Sequence, residues 1–117
     1  MDLWDITSID VQPSQPQVLH SDVGAARVVA INLPAGDELQ EHEVHEHAWL
    51  HVHHGTVELA DEGGADRRTA GPGALAHWRP QERHTVRAVE DALLVLILAP
   101  WPGPGHPGAR DDPNSPA

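Results

Sequence analysis

Along this chain, bulky apolar residues recur at every second position in short runs, and each run stops at a glycine or proline. A two-residue period is the mark of a strand with one buried face. RVVAINLP, from Arg27, is β-branched and apolar until Pro34 and Gly36 end it, which predicts a strand. AWLHVHHGTVELA, Ala48 to Ala60, alternates bulky and polar positions around Gly55, as two consecutive strands joined at a glycine turn would. DEGGADRR then predicts a hairpin loop, TAGPGALAHWRP a turn and a short strand, HTVRAV another strand, and EDALLVLILAP contains the longest apolar run. About seven short strands at ~8 to 12-residue spacing, with no helical period, predict an all-β antiparallel sandwich or barrel.

The ends read differently from the middle. Residues 1–24 carry three glutamines near Pro13 and Pro16, an irregular lead-in with an edge strand around residues 17–20. After Pro100 the sequence becomes WPGPGHPGARDDPNSPA, which has little to bury and reads as a largely disordered tail. The predicted organisation is thus a lead-in over 1–24, one β-barrel domain over 25–100 and a Pro/Gly-rich tail over 101–117. A chain of 117 residues allows a single core.

Composition removes several chemistries. The sequence has no cysteine, so disulfides, thiolate ligands and thiol nucleophiles are excluded. It has no lysine either, which excludes Schiff-base catalysis and a P-loop. Eighteen acids face seven arginines, a net charge of −11, and a phosphate backbone would be repelled; nucleic acid is not an expected partner. MDLWDITSIDV places acids where a signal peptide needs positive charge, and no apolar run approaches the ~20 residues of a bilayer span, so a cytoplasmic protein without a membrane partner is expected. No serine sits in a nucleophile elbow, and Asp61 with Glu62 reads as a solvated turn.

What remains conspicuous is HEVHEHAWLHVHH, residues 42–54, with six of the ten histidines. Its setting between Gly36 and Gly55, followed by Gly73 and His84 at their spacing, resembles the two signature motifs of the cupin superfamily. The resemblance spans residues 26–99 and implies a double-stranded β-helix, or jelly roll. It also implies a divalent transition metal such as Zn, Ni, Mn or Fe, held in the barrel by histidines and a carboxylate. His42 and His84 fall on two of the family's ligand positions. The same register places Val44 where a second histidine belongs and Ala48 where the glutamate belongs. Pro80 comes one residue late, no glycine follows it, and Ala88 replaces the motif's asparagine.

A metal centre needs about three converging ligands. In a regular strand His45, His47, His51 and His53 share a parity opposite to that of His42 and point away from the cavity. HEH followed by AWLH nevertheless repeats the family's ligand spacing three residues on, and one β-bulge would turn that set inward. The expected metal site is therefore His42, His47 and His84, with His47 supplied by a bulge. The competing reading makes His42 and His84 cavity histidines bonded to backbone or water.

Without a bulge, His45, His47, Trp49, His51 and His53 form an outward stripe. A tryptophan-bearing stripe on a small barrel suits a homodimer interface, one that buried imidazoles would make acid-sensitive. Small cupins are often dimers, which agrees. The blandest alternative is a solvated stripe among Glu41, Glu43 and Glu46. The opposite parity lines the barrel with Val44, Ala48, Leu50, Val52, Val86 and Ala88, so the expected ligand is small and largely apolar. Arg79, Arg83 and Arg87 could hold a carboxylate at the mouth. Three function classes follow: a small-molecule binder, with or without a metal; a metal-dependent enzyme of the dioxygenase or isomerase kind; and a non-catalytic assembly protein using the histidine stripe.

Overall fold

The computed structural model describes residues 1–42 and 44–106, with residues 40–42 described through their backbone alone. Nine strands follow one another: β1 Gln17–Ser21, β2 Arg27–Leu33, β3 Glu38–His42, β4 His47–His54, β5 Val57–Asp61, β6 Arg67–Ala70, β7 Leu75–Trp78, β8 His84–Ala88 and β9 Ala92–Ala99. The only helical element among the described residues is a 3-10 turn at Glu62–Gly64, so none is long and apolar enough to cross a membrane. The strands form a five-stranded sheet, β1-β2-β9-β4-β7, and a four-stranded sheet, β3-β8-β5-β6, with every pairing antiparallel.

The alternation in the sequence explains which faces meet. Val29, Ile31 and Leu33 of β2, Ala48, Leu50 and Val52 of β4, Val57 of β5, Val86 and Ala88 of β8, and Leu94 and Leu98 of β9 fill the space between the sheets. Burial of these aliphatic side chains is the main force holding the sheets face to face. β4 and β5 do not pair with each other. The chain passes from one sheet to the other at Gly55, whose φ of 84° favours glycine. A Cβ at Gly55 would also overlap the Asp91 carbonyl oxygen in the β8–β9 turn.

Described segments on both sides of the barrel sequence pack onto this frame. The lead-in contributes β1, as an edge strand, and the buried Val11, whose carbonyl accepts a hydrogen bond from the Asn32 side chain at 2.9 Å. The stretch read from its composition as the start of a tail is docked over residues 101–106. Gly24 N–H donates to the Trp101 carbonyl (2.7 Å), Trp101 packs on the core, and the Arg27 guanidinium lies 4.6 Å over its ring. Composition undervalued this segment because one indole and the backbone bonds supply its contacts. Residues 107–117, the remainder of the predicted tail, lie outside the described residues.

Candidate functional site

Antiparallel partners share a face, so the register of the four-stranded sheet sets the rows of the barrel interior. One row holds Val57, Ala70 and Ala88. The next holds Leu39, Val86, Leu59 and Arg68, and a third places His42, His84 and Asp61 side by side along the backbone. The facing sheet supplies Leu50 and Val52 from β4 and Ala76 and Trp78 from β7. Between them, at the open side where the edge strands β6 and β7 part, lies a cavity of about 660 Å³. Leu50, Val52, Leu59, Ala70, Ala76 and Trp78 form its apolar wall.

His84 lies behind that wall. It is 3% exposed, and the Trp78 indole stacks on its imidazole with 3.9 Å between ring centres and 11° between planes. The His84 Nδ1 lies 3.3 Å from the Glu82 carbonyl. A carbonyl oxygen can only accept, so in the neutral ring this bond places the proton on Nδ1 and the lone pair on Nε2.

Charge gathers at the mouth. Arg68 donates from Nε and Nη2 to the two carboxylate oxygens of Asp66, both at 3.1 Å. These hydrogen bonds hold the Asp66 carboxyl below the usual carboxylate range and push the Arg68 guanidinium up. Asp61 accepts from the Asp66 backbone at 2.8 Å, and Glu82 from the Arg79 backbone at 3.0 Å. Of the arginines expected near the second motif, Arg87 lies 3.8 Å from Glu58 and none lines this cavity; Arg68 does.

Of the three residues expected to hold a metal, His42 and His84 are cross-strand partners along the backbone, whereas His47 faces away from His84. β4 pairs with β9 without interruption from His47 to Val52, so the bulge that would turn His47 inward is absent. Ala48 is fully buried and His47 faces the other way, its Nδ1 2.9 Å from the Nε2 of His77. His42 is the cross-strand partner of His84, but its side chain lies outside the described residues. Ala48 occupies an inward position and Val44 packs against the core, so neither offers a ligand. Among the described residues no group of three or more histidines or carboxylates is placed to hold a metal ion. The described side chains therefore do not fit the metal centre that the resemblance implies.

The outward parity of the stripe is realised for His47, Trp49, His51 and His53, all half-buried. His45 instead turns toward the docked segment, 5.7 Å from the His106 ring, and its Nδ1 is buried without a hydrogen bond. Two residues of consequence stand elsewhere than the sequence suggests: Glu46, expected among the acids of a solvated stripe, is buried, and Trp78 had no assigned place. Trp78 is buried and packs into the interior. Glu46 is 1% exposed, and one of its carboxylate oxygens accepts from Gly103 N–H at 2.6 Å while the other is buried without a partner. The signal for Glu46 was available, since it shares the inward parity of Val44 and Ala48.

Two facing antiparallel sheets in this order, with a cavity between them, give the chain the cupin fold of the solved structures it is similar to. An RmlC-like cupin from Desulfovibrio desulfuricans is similar over 84% of this chain and 96% of its own, with 25% identity and a TM-score of 0.73. A cupin from Methanocaldococcus jannaschii with a double-stranded β-helix fold is similar over 81% and 89%, with 14% identity and a TM-score of 0.68. A conserved Streptococcus pyogenes protein of unknown function is similar over 83% and 85%, with 18% identity and a TM-score of 0.69. No family model matches the sequence, and no curated protein matches it.

Proposed function

We propose that this protein binds a small organic molecule in the cavity between its sheets. The observation that carries the reading is the cavity, whose volume of about 660 Å³ lies within the ~300–1,000 Å³ of small-molecule sites. An apolar body would lie against Leu50, Val52, Ala76 and Trp78, and a hydrogen-bonding end would meet Asp61, Arg68 and Glu82 at the mouth. Trp78 is suited to a planar or ring-containing ligand, because one face is already engaged by His84 and the indole still lines the cavity. The interior supplies one described imidazole, and it lies beneath an indole, so binding is read here as recognition by shape and hydrogen bonds.

The test is a library of small molecules screened by thermal shift against the tag-free protein and an Ala76→Phe variant that fills the cavity. Binders should stabilise the wild type and lose that effect in the variant, whose far-UV circular dichroism should be unchanged. Binders that stabilise both proteins equally would place the ligand elsewhere.

A further inference from the structure

The outer face of β4 and β7 carries a group of three rings, one of which, His77, also borders the cavity at the edge strand. His77 is the direct cross-strand partner of Trp49, and His47 lies two residues before Trp49 on the same face. The three rings form a cluster: His47 to Trp49 5.7 Å, Trp49 to His77 5.1 Å, and His47 to His77 5.1 Å between centres. The two imidazole planes are only 15° apart, and Nδ1 of His47 is 2.9 Å from Nε2 of His77. The centre-to-centre distance exceeds the N···N distance by about two ring radii, so the imidazoles meet edge to edge. One nitrogen must donate and the other accept, and a single proton lies between them.

We propose that His47 and His77 form a two-imidazole chelate for a divalent transition-metal ion, with Cu(II) preferred, the shared proton moving to the other nitrogen of the donor ring so that both facing nitrogens offer a lone pair to the ion. The reason is the spacing. Two imidazoles bound at about 2.0–2.1 Å and at right angles on one ion stand ~2.9 Å apart, whereas a tetrahedral ion would hold them ~3.4 Å apart. The observed 2.9 Å is the length of the hydrogen bond the two nitrogens share and lies close to both spacings, so one ion can reach both nitrogens; Cu(II) is preferred because it stands highest in the order of affinity of nitrogen ligands for first-row divalent ions. Each ring has only to tilt in its own plane to turn its lone pair from its neighbour toward the ion, and His77 is exposed and His47 half-buried. The remaining positions would be filled by water. Elsewhere on the same strand, His51 and His53 stand 6.3 Å apart between ring centres and 54° apart in plane, without such an alignment.

His47 and His77 stand at the opposite strand parity to the buried Ala48 and Trp78, although His77, on the edge strand, also borders the cavity. Trp49 touches both rings and gives the site its own optical reporter, because a paramagnetic ion at this distance quenches indole emission.

The experiment titrates tag-free protein with Cu(II) in a non-coordinating buffer, followed by calorimetry, tryptophan emission and electron paramagnetic resonance. The tightest copper equivalent should show two equivalent imidazole nitrogens and quench a fraction of the emission that is lost in Trp49→Phe. His47→Ala, His77→Ala and the milder His77→Gln should each weaken it at least ~10-fold and abolish the two-nitrogen pattern. His51→Ala and His84→Ala should leave it unchanged. Zn(II) should bind at least ~10-fold more weakly than Cu(II). Wild-type copper affinity in His77→Gln and His77→Ala would overturn the proposal, as would a tightest site that disappears with His84 or His51.

Discussion

Trp78 lies parallel to His84, 3.9 Å between ring centres, and thereby separates the one described histidine of the barrel interior from the cavity beside it. The indole is at once a wall of the cavity and a lid on the imidazole, so its removal should be felt in both stability and binding.

Trp78→Ala should cost about 3–5 kcal/mol, as deletion of a buried aromatic ring does, while Trp78→Phe should cost about half of that. Urea unfolding monitored by circular dichroism provides the check. A loss below about 1 kcal/mol in the alanine variant would mean that the stack contributes little packing.

Glu46 tests the docking of the C-terminal segment. Glu46→Ala strips the Gly103 N–H of its acceptor in a buried setting and should cost about 2–4 kcal/mol. Glu46→Gln keeps an acceptor oxygen and should cost distinctly less. Amide exchange at Gly103 should accelerate in the alanine variant well beyond any change in β4. Equal losses in both variants would show that the charge, rather than the acceptor, holds the segment.

Two glycines with similar backbone angles should behave differently. Gly24, with φ of 86°, has open space around a would-be Cβ, so Gly24→Ala carries only the conformational cost of about 1 kcal/mol. Gly55→Ala adds an overlap with the Asp91 carbonyl and should cost at least ~3 kcal/mol. Paired denaturation curves decide, and equal losses would contradict the close approach of the β8–β9 turn.

The Asp66–Arg68 pair sets an acid limb. Because the folded-state carboxyl is held below its ordinary value, the pair favours the fold above the unfolded pKa of about 4 and loses that contribution as pH falls through the lower, folded pKa. Asp66→Asn should therefore leave stability at pH 7 almost as it is and flatten its decline below pH ~4. Both groups are exposed, so added salt should shrink the difference. An NMR titration placing the Asp66 carboxyl at or above its ordinary value would contradict this account.

The interior of β4 was legible because strict alternation leaves a strand two choices, and Ala48, Leu50 and Val52 fix which face is buried. Alternation could not say that β4 and β5 belong to different sheets, since pairing is a long-range property and Gly55 looks the same in a hairpin and in a crossover. The bulge expected at His47 does not form there. The irregularities fall at residues 18–20, 39–42 and 52–54 instead, places where nothing in the local sequence distinguishes a bulge from a regular strand. The pairing of His47 with His77 was likewise hidden, because it depends on the register of β7 against β4. Trp101 and Gly103 look like tail by composition, and what docks them lies far back in the chain: Gly24, Ala25 and Arg27 for Trp101, and the buried Glu46 carboxylate for Gly103.

The order of strands also constrains how the molecule is born. β9, the last of the described strands along the chain, is the middle strand of the larger sheet, hydrogen-bonded to β2 on one side and β4 on the other. A nascent chain ending before Ala92 holds β2 and β4 with no neighbour between them, so that sheet cannot close during synthesis until β9 has emerged. Assembly is then dominated by contacts distant in sequence, the regime of slow folding, and the waiting apolar edges of β2 and β4 are the surfaces a chaperone would have to shield.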